Sequence, residues 1–301
     1  KKFAQLDQEL PTPNDYRTAS GAPGHAYYQQ KADYKMSLTI DDETQRLYGT
    51  ETITYTNNSP DQLNYLWLQL DQNIYSQDSE SKLIEVEKME DFRSVGDIQK
   101  RMFYYNGGFK IEEIKNTSGL KMKYFINKTM MRIDLEKPLA PKSSISFQIK
   151  WWYNINDRMA VGGRSGYEYF DKDKNYLYTI AQHFPRMCVY NDVTGWQNKQ
   201  FLGRGEFTLP FGDYVVSITV PSDHIVAATG ECQNLNLVLS VEQKKRLELA
   251  KKSNSPVLII NQKEAEDAEQ NKSKTTKTWI FKATNVRDFA FATSRKFMWD
   301  A

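Results

Sequence analysis

Cysteine, histidine and long apolar runs are all scarce in this chain of 301 residues. The two cysteines, Cys188 and Cys232, stand far apart with no CxxC pair. That excludes a disulfide framework or a thiolate metal site and reads as buried free thiols. The three histidines, His25, His183 and His224, are scattered, and no H-E-x-x-H sets two imidazoles on one helical face for zinc. No run of about 18 apolar residues occurs, so no membrane span is expected. The start, Lys1-Lys2-Phe3-Ala4-Gln5-Leu6, lacks the apolar core of a signal peptide. Charge of one sign is also missing: 40 basic against 38 acidic side chains leave +2, too little to neutralise a nucleic-acid backbone, and no nucleic-acid partner is expected. There is no P-loop and no dinucleotide fingerprint, and Gly163-Arg164-Ser165-Gly166 is one residue too short for a G-x-S-x-G elbow.

What is present is β-forming. Tyr34, Met36, Leu38 and Ile40 alternate with Lys35, Ser37 and Thr39, the period of a half-buried strand. Thr50, Thr52, Thr54 and Thr56 then face away from Glu51, Ile53 and Tyr55 until Asn57-Asn58-Ser59-Pro60 stops the run. Tyr65 to Leu70 is apolar on both faces and predicts a strand covered on both sides. Three strands joined by turns, with no helix between them, predict antiparallel pairing. Ile145, Phe147, Ile149 and Trp151, and later Tyr214, Val216, Ile218 and Val220, repeat the alternation. Leu83, Val86, Met89, Phe92 and Val95 recur every three positions instead, predicting a helical insertion near 81–103. Ser240-Val241-Glu242-Gln243 has the form of a capping box and predicts a basic helix over 241–252, with its lysines and Arg246 on a solvated face. Val257 to Ile260 reads as a strand, Gln262 to Thr276 as a charged loop and Trp279 to Ala292 as the last strands. Prolines 11, 13 and 23 suit an extended arm over 1–26. The expected fold is mainly β, with antiparallel sheets arranged as a sandwich and two helical insertions in a domain over 27–301.

Glu168, Asp171, Asp173, Asp192, Glu206 and Asp213 raise the idea of a catalytic carboxylate pair as in glycoside hydrolysis. The glycines and tyrosines around them favour turn and rim carboxylates.

The informative phrases lie between Gly162 and Glu231: Gly162-Gly163-Arg164-Ser165-Gly166-Tyr167-Glu168-Tyr169-Phe170, Ala181-Gln182-His183-Phe184-Pro185-Arg186-Met187, Phe211-Gly212-Asp213-Tyr214 and Ala227-Ala228-Thr229-Gly230-Glu231. Leu66-Trp67-Leu68-Gln69-Leu70-Asp71 precedes them and Asn285-Val286-Arg287-Asp288-Phe289-Ala290-Phe291-Ala292 follows. In that order, from about Tyr27 to the end, they resemble the amino-terminal domain of aminopeptidase N-like (gluzincin) zinc metallopeptidases, in particular the bacterial branch. The resemblance implies a saddle-shaped β domain that packs on its own catalytic domain and walls a cleft for peptide substrates. In the family, zinc is held by H-E-x-x-H plus a glutamate, and a G-x-M-E-N strand helps bind the free amine. Neither motif occurs here, so zinc is expected in a catalytic domain absent from this chain, and the chain alone is expected to be inactive.

One family role carries over to a residue. The amine-recognising glutamate or glutamine lies about five positions before an arginine, and here Gln182 lies four before Arg186. A glutamine carbonyl can accept from an ammonium; the bland alternative is an amide closing a buried strand end. Phe184 and Tyr178 are candidates for the apolar cleft wall, against the commoner fate of such rings in a core. A peptidase domain from an exported parent, periplasmic or at the cell surface, is the leading expectation. A non-catalytic protein-interaction module on the same scaffold is the alternative, and a carbohydrate-active β domain is a third.

Overall fold

The computed structural model describes residues 13–81, 105–203, 205 and 207–301. A seven-stranded sheet runs in the spatial order Glu231–Cys232, Thr276–Val286, Gly212–Pro221, Lys31–Asp41, Arg46–Asn57, Ser143–Asn154, Lys110–Asn116. The alternation read from the sequence holds along it. Tyr34, Met36, Leu38 and Ile40 are buried, as are Glu51, Ile53 and Tyr55. The threonines stand on the other face, where Thr54 and Thr56 pair with Ser146 and Ser144 at 2.8 and 2.9 Å.

The first two strands pair antiparallel as expected. The third departs. Leu63–Gln69 joins a second, four-stranded sheet, lying between Arg186–Met187 and Met130–Leu139, with Lys123–Asn127 beyond. Its Leu66, Leu68 and Leu70 are buried while Tyr65 and Trp67 are half-buried. Into the place beside Lys31–Asp41 comes Gly212–Pro221, and that pair is parallel. A parallel neighbour needs a long crossover, which local turn signals cannot announce. A third sheet holds Ile225–Ala228, Phe291–Ser294, Asn175–Ile180 and Gly166–Phe170 in that order. One apolar cluster runs from Met36, Ile53 and Trp151 through Leu66, Leu68 and Met131 to Tyr178 and Phe291, so the sheets share a core. Each aliphatic or phenyl side chain fully buried there is worth about 1.5–3 kcal/mol over leaving it in water. The fold is thus mainly β and sandwich-like, with few helices.

The helix Val241–Ala250 carries the reciprocal Ser240–Gln243 capping box. Its Arg246 is not on a solvated face: the guanidinium reaches the Ile259 carbonyl at 2.7 Å and Glu264 at 3.0 Å. Gln262–Gln270, expected as a loop, is a second helix, started by a capping box between Asn261 and Glu264. The helix expected near 81–103 lies, beyond Ser81, outside the described residues. Of the expected amino-terminal arm, residues 13–26 double back rather than run extended, with Arg17 bridged to Pro23. Arg17 also holds Asp192 through two 2.8 Å bonds.

Candidate functional site

Ends of the three larger sheets meet around Arg186. The strand Leu63–Gln69 delivers Asp71 just past its end, and the 3-10 turn Asp71–Tyr75 then bends the chain away. The loop leaving Asn175–Ile180 carries Gln182 and runs into Arg186. Asp288 sits between Thr276–Val286 and Phe291–Ser294.

Arg186 Nε and Nη2 meet the two Asp71 oxygens at 2.9 and 2.7 Å, and Nη1 meets Asp288 Oδ2 at 2.7 Å. Gln69 Nε2 donates to Asp71 Oδ1 at 2.8 Å. Asp71 and Arg186 are buried, whereas the Asp288 side chain is 42% exposed. Burial raises the Asp71 carboxyl against the opposing pull of the guanidinium. Burial also pulls Arg186 down, but the two carboxylates outweigh it and leave it raised. The fork-to-fork geometry fixes direction as well as charge. Asp288 is the acid of this network that meets solvent, and Arg164 and Arg287 line the same cavity as it does.

Gln182 stands beside this network at φ +52°, a left-handed conformation that a non-glycine residue holds only where its surroundings enforce it. Here buried Gln72 donates from Nε2 to the Gln182 carbonyl at 3.0 Å. The Gln182 side-chain amide makes no hydrogen bond among the described residues. It lines a cavity of about 400 Å³ together with Gln69, Arg164, Arg186, Phe201, Phe207, Leu209, Arg287 and Asp288. A second cavity of about 210 Å³ adjoins it, sharing Thr208, Leu209 and Arg287 and walled by Tyr27, Tyr28, Tyr190 and Phe211.

The other two sequence candidates sit elsewhere. Phe184 is fully buried against Tyr34, ring centroids 5.2 Å apart. Tyr178 is fully buried too, and its hydroxyl donates to Asp42 at 2.7 Å. Both rings are core in this chain. His183, between Gln182 and Phe184, packs on the rings of Phe184 and Phe291. Burial, with Arg186 nearby, lowers it to about 3, so its imidazole is neutral.

The carboxylates considered as a catalytic pair are dispersed: Glu168 pairs with Arg158, Asp173 with Lys296, Asp192 with Arg17 and Asp213 with Lys31. Glu206 lies outside the described residues. Among the described residues, no three His, Cys, Asp or Glu side chains converge as metal ligands. The histidines do not fit zinc either, since His183 and His224 are buried in separate ring contacts and His25 is on the surface. No helix among the described residues is long and apolar enough to cross a membrane.

Sequence reasoning quoted Asp71 and Asp288 within its phrases but gave them no role. They lie 115 and 102 positions from Arg186, so only the fold unites them.

No protein-family model and no curated protein matches the chain. Among solved structures, the chain is similar to an M1 zinc metallopeptidase from Deinococcus radiodurans. The identity is 11% and the TM-score 0.44, over 90% of this chain and 43% of that one. A mutant of the Deinococcus radiodurans enzyme bound to a Tyr-Ser-Ala substrate has the same identity and TM-score, over 88% and 42%. A two-domain M1 zinc metallopeptidase mutant bound to L-tryptophan has 11% identity and a TM-score of 0.43, over 91% and 44%. The chain therefore spans less than half the length of each protein it is similar to.

Proposed function

We propose that this chain is the amino-terminal domain of a zinc aminopeptidase of the aminopeptidase N type. In this reading it packs on the catalytic domain and walls one side of the peptide cleft. Gln182 accepts a hydrogen bond from the substrate's free amine. The observation that carries the reading is the Gln182 amide: unpartnered among the described residues, held by an enforced left-handed backbone and lining the same cavity as the part-exposed Asp288 carboxylate. An ammonium needs acceptors and gains from a nearby negative charge. The ordered phrases from Leu66 to Ala292 support the family. Zinc and its ligands belong, on this reading, to a domain outside this chain. The chain's own part is to bind and orient the peptide.

The test has two steps. The longer gene should encode H-E-x-x-H after this segment; a continuation without zinc ligands would favour the interaction module instead. In the full-length protein, Gln182→Ala should raise KM for free-amine peptides about tenfold or more, since a hydrogen bond to a charged group is worth about 1.5–3 kcal/mol, and Gln182→Glu should restore binding. An unchanged KM would remove Gln182 from the role.

A further inference from the structure

Arg287 lies where the two cavities meet and lines both. It is exposed, and its guanidinium stacks over the Phe211 ring at 5.4 Å with Thr208 Oγ1 at 3.5 Å from Nη1. No carboxylate pairs with it among the described residues, although its neighbour Asp288 is tied to Arg186. Stacking on a ring orients the planar fork while leaving its hydrogen-bonding edge to another partner. Between the polar groups of the linings stand apolar or aromatic walls, Phe201, Phe207 and Leu209 in one cavity and Tyr27, Tyr28 and Tyr190 in the other. An organic carboxylate would bury its side chains there.

We propose that Arg287 anchors the carboxylate of a short peptide lying along the two joined cavities, with the peptide's amine at Gln182. The proposal rests on the Gln182 reading and narrows it to short peptides with a free carboxy terminus. Arg287 and Asp288 are consecutive, so a cationic and an anionic side chain are held within about one residue of each other, Cα atoms about 3.8 Å apart.

The test is calorimetric binding of Leu-Leu, acetyl-Leu-Leu and Leu-Leu-amide to the full chain and to its Arg287→Gln variant. Amidation should weaken binding to the natural chain about tenfold, the value of one partly exposed charge-assisted contact. Arg287→Gln should abolish the preference for the free carboxylate while keeping the penalty for acetylation. Equal binding of free and amidated peptide, no binding of any dipeptide, or displacement of Leu-Leu by equimolar inorganic phosphate would overturn the proposal. Should the variant fail to fold, the comparison of the three peptides on the natural chain decides alone. If acetylation has no effect while amidation still weakens binding, the Gln182 reading falls and the Arg287 site stands.

Discussion

At the scale of single residues, the core holds one carboxyl group it does not use. Glu51 sits in Arg46–Asn57 between Met36 and Ile149 on the adjoining strands, fully buried, and neither oxygen finds a partner among the described residues. Burial raises it well above the ordinary carboxylate range, because a charged carboxylate without a partner is costly in an apolar core. Glu51→Met should stabilise the chain by about 1 kcal/mol or more at pH 8, since the variant removes an unsatisfied buried group, and urea unfolding that finds a loss instead would refute this. Arg295 is the opposite case. It is buried and bonds Asp223, Asp42 and Asn175 at 3.0, 2.8 and 3.1 Å. Arg295→Met would leave two acids uncompensated and should cost about 3–5 kcal/mol, read from the same unfolding curves. Alternation alone placed Glu51 on the inward face with Ile53 and Tyr55. The lack of a partner was not legible, because it depends on two other strands. Nor was Arg295, whose Asp42 lies 253 positions away. Gln182 was legible only through the family phrase, since nothing in its own neighbourhood marks a free amide.

Among the elements, the long strands Lys31–Asp41, Arg46–Asn57, Ser143–Asn154 and Gly212–Pro221 were legible because one face of each is buried and the period of two survives in the sequence. The helix Gln262–Gln270 was not, because only Ala265 of it is buried and no apolar stripe marks it. Its signal was local: Asn261 and Glu264 in the spacing of a capping box, read as charge alone. Each closes on the other's backbone amide at 3.0 Å, and the bond from Arg246 holds the Glu264 carboxyl below its ordinary value. Asn261→Ala should therefore cost about 1 kcal/mol. Glu264→Ala should cost more, since it also strands Arg246. Equal losses from the two, measured by chemical denaturation, would mean that the link to Val241–Ala250 contributes nothing. A strand element offers a sterically sharper case. A Cβ on Gly49 would lie 2.2 Å from the buried Trp151 ring across the strand pair, so Gly49→Ala should cost about 1–3 kcal/mol as overpacking.

For the whole molecule, three buried groups, one on a strand and two in loops, give stability a pH profile whose sign can be worked out. His183 and His224 are lowered by burial to about 3 and about 4, each helped by a neighbouring arginine. The unfolded chain protonates a histidine below about 6.5, so in the window from that value down to the folded ones it binds protons the native state refuses. Each histidine then removes about 1.4 kcal/mol of stability per unit fall in pH. Glu51 acts the other way: above about 4.3 the unfolded carboxyl loses its proton while the folded one keeps it, and stability falls by a similar amount per unit rise. Between about pH 4.5 and 6.5 the three together should give a net slope of about +1.4 kcal/mol per unit. Glu51→Gln removes the opposing contribution and should double that slope, with its gain over the natural chain growing as pH rises above about 4.3. Urea unfolding at half-unit steps separates this from other titrations, because every other group is common to both proteins and cancels in the difference. A difference that stays constant across the range would mean that Glu51 is ionised in the folded core.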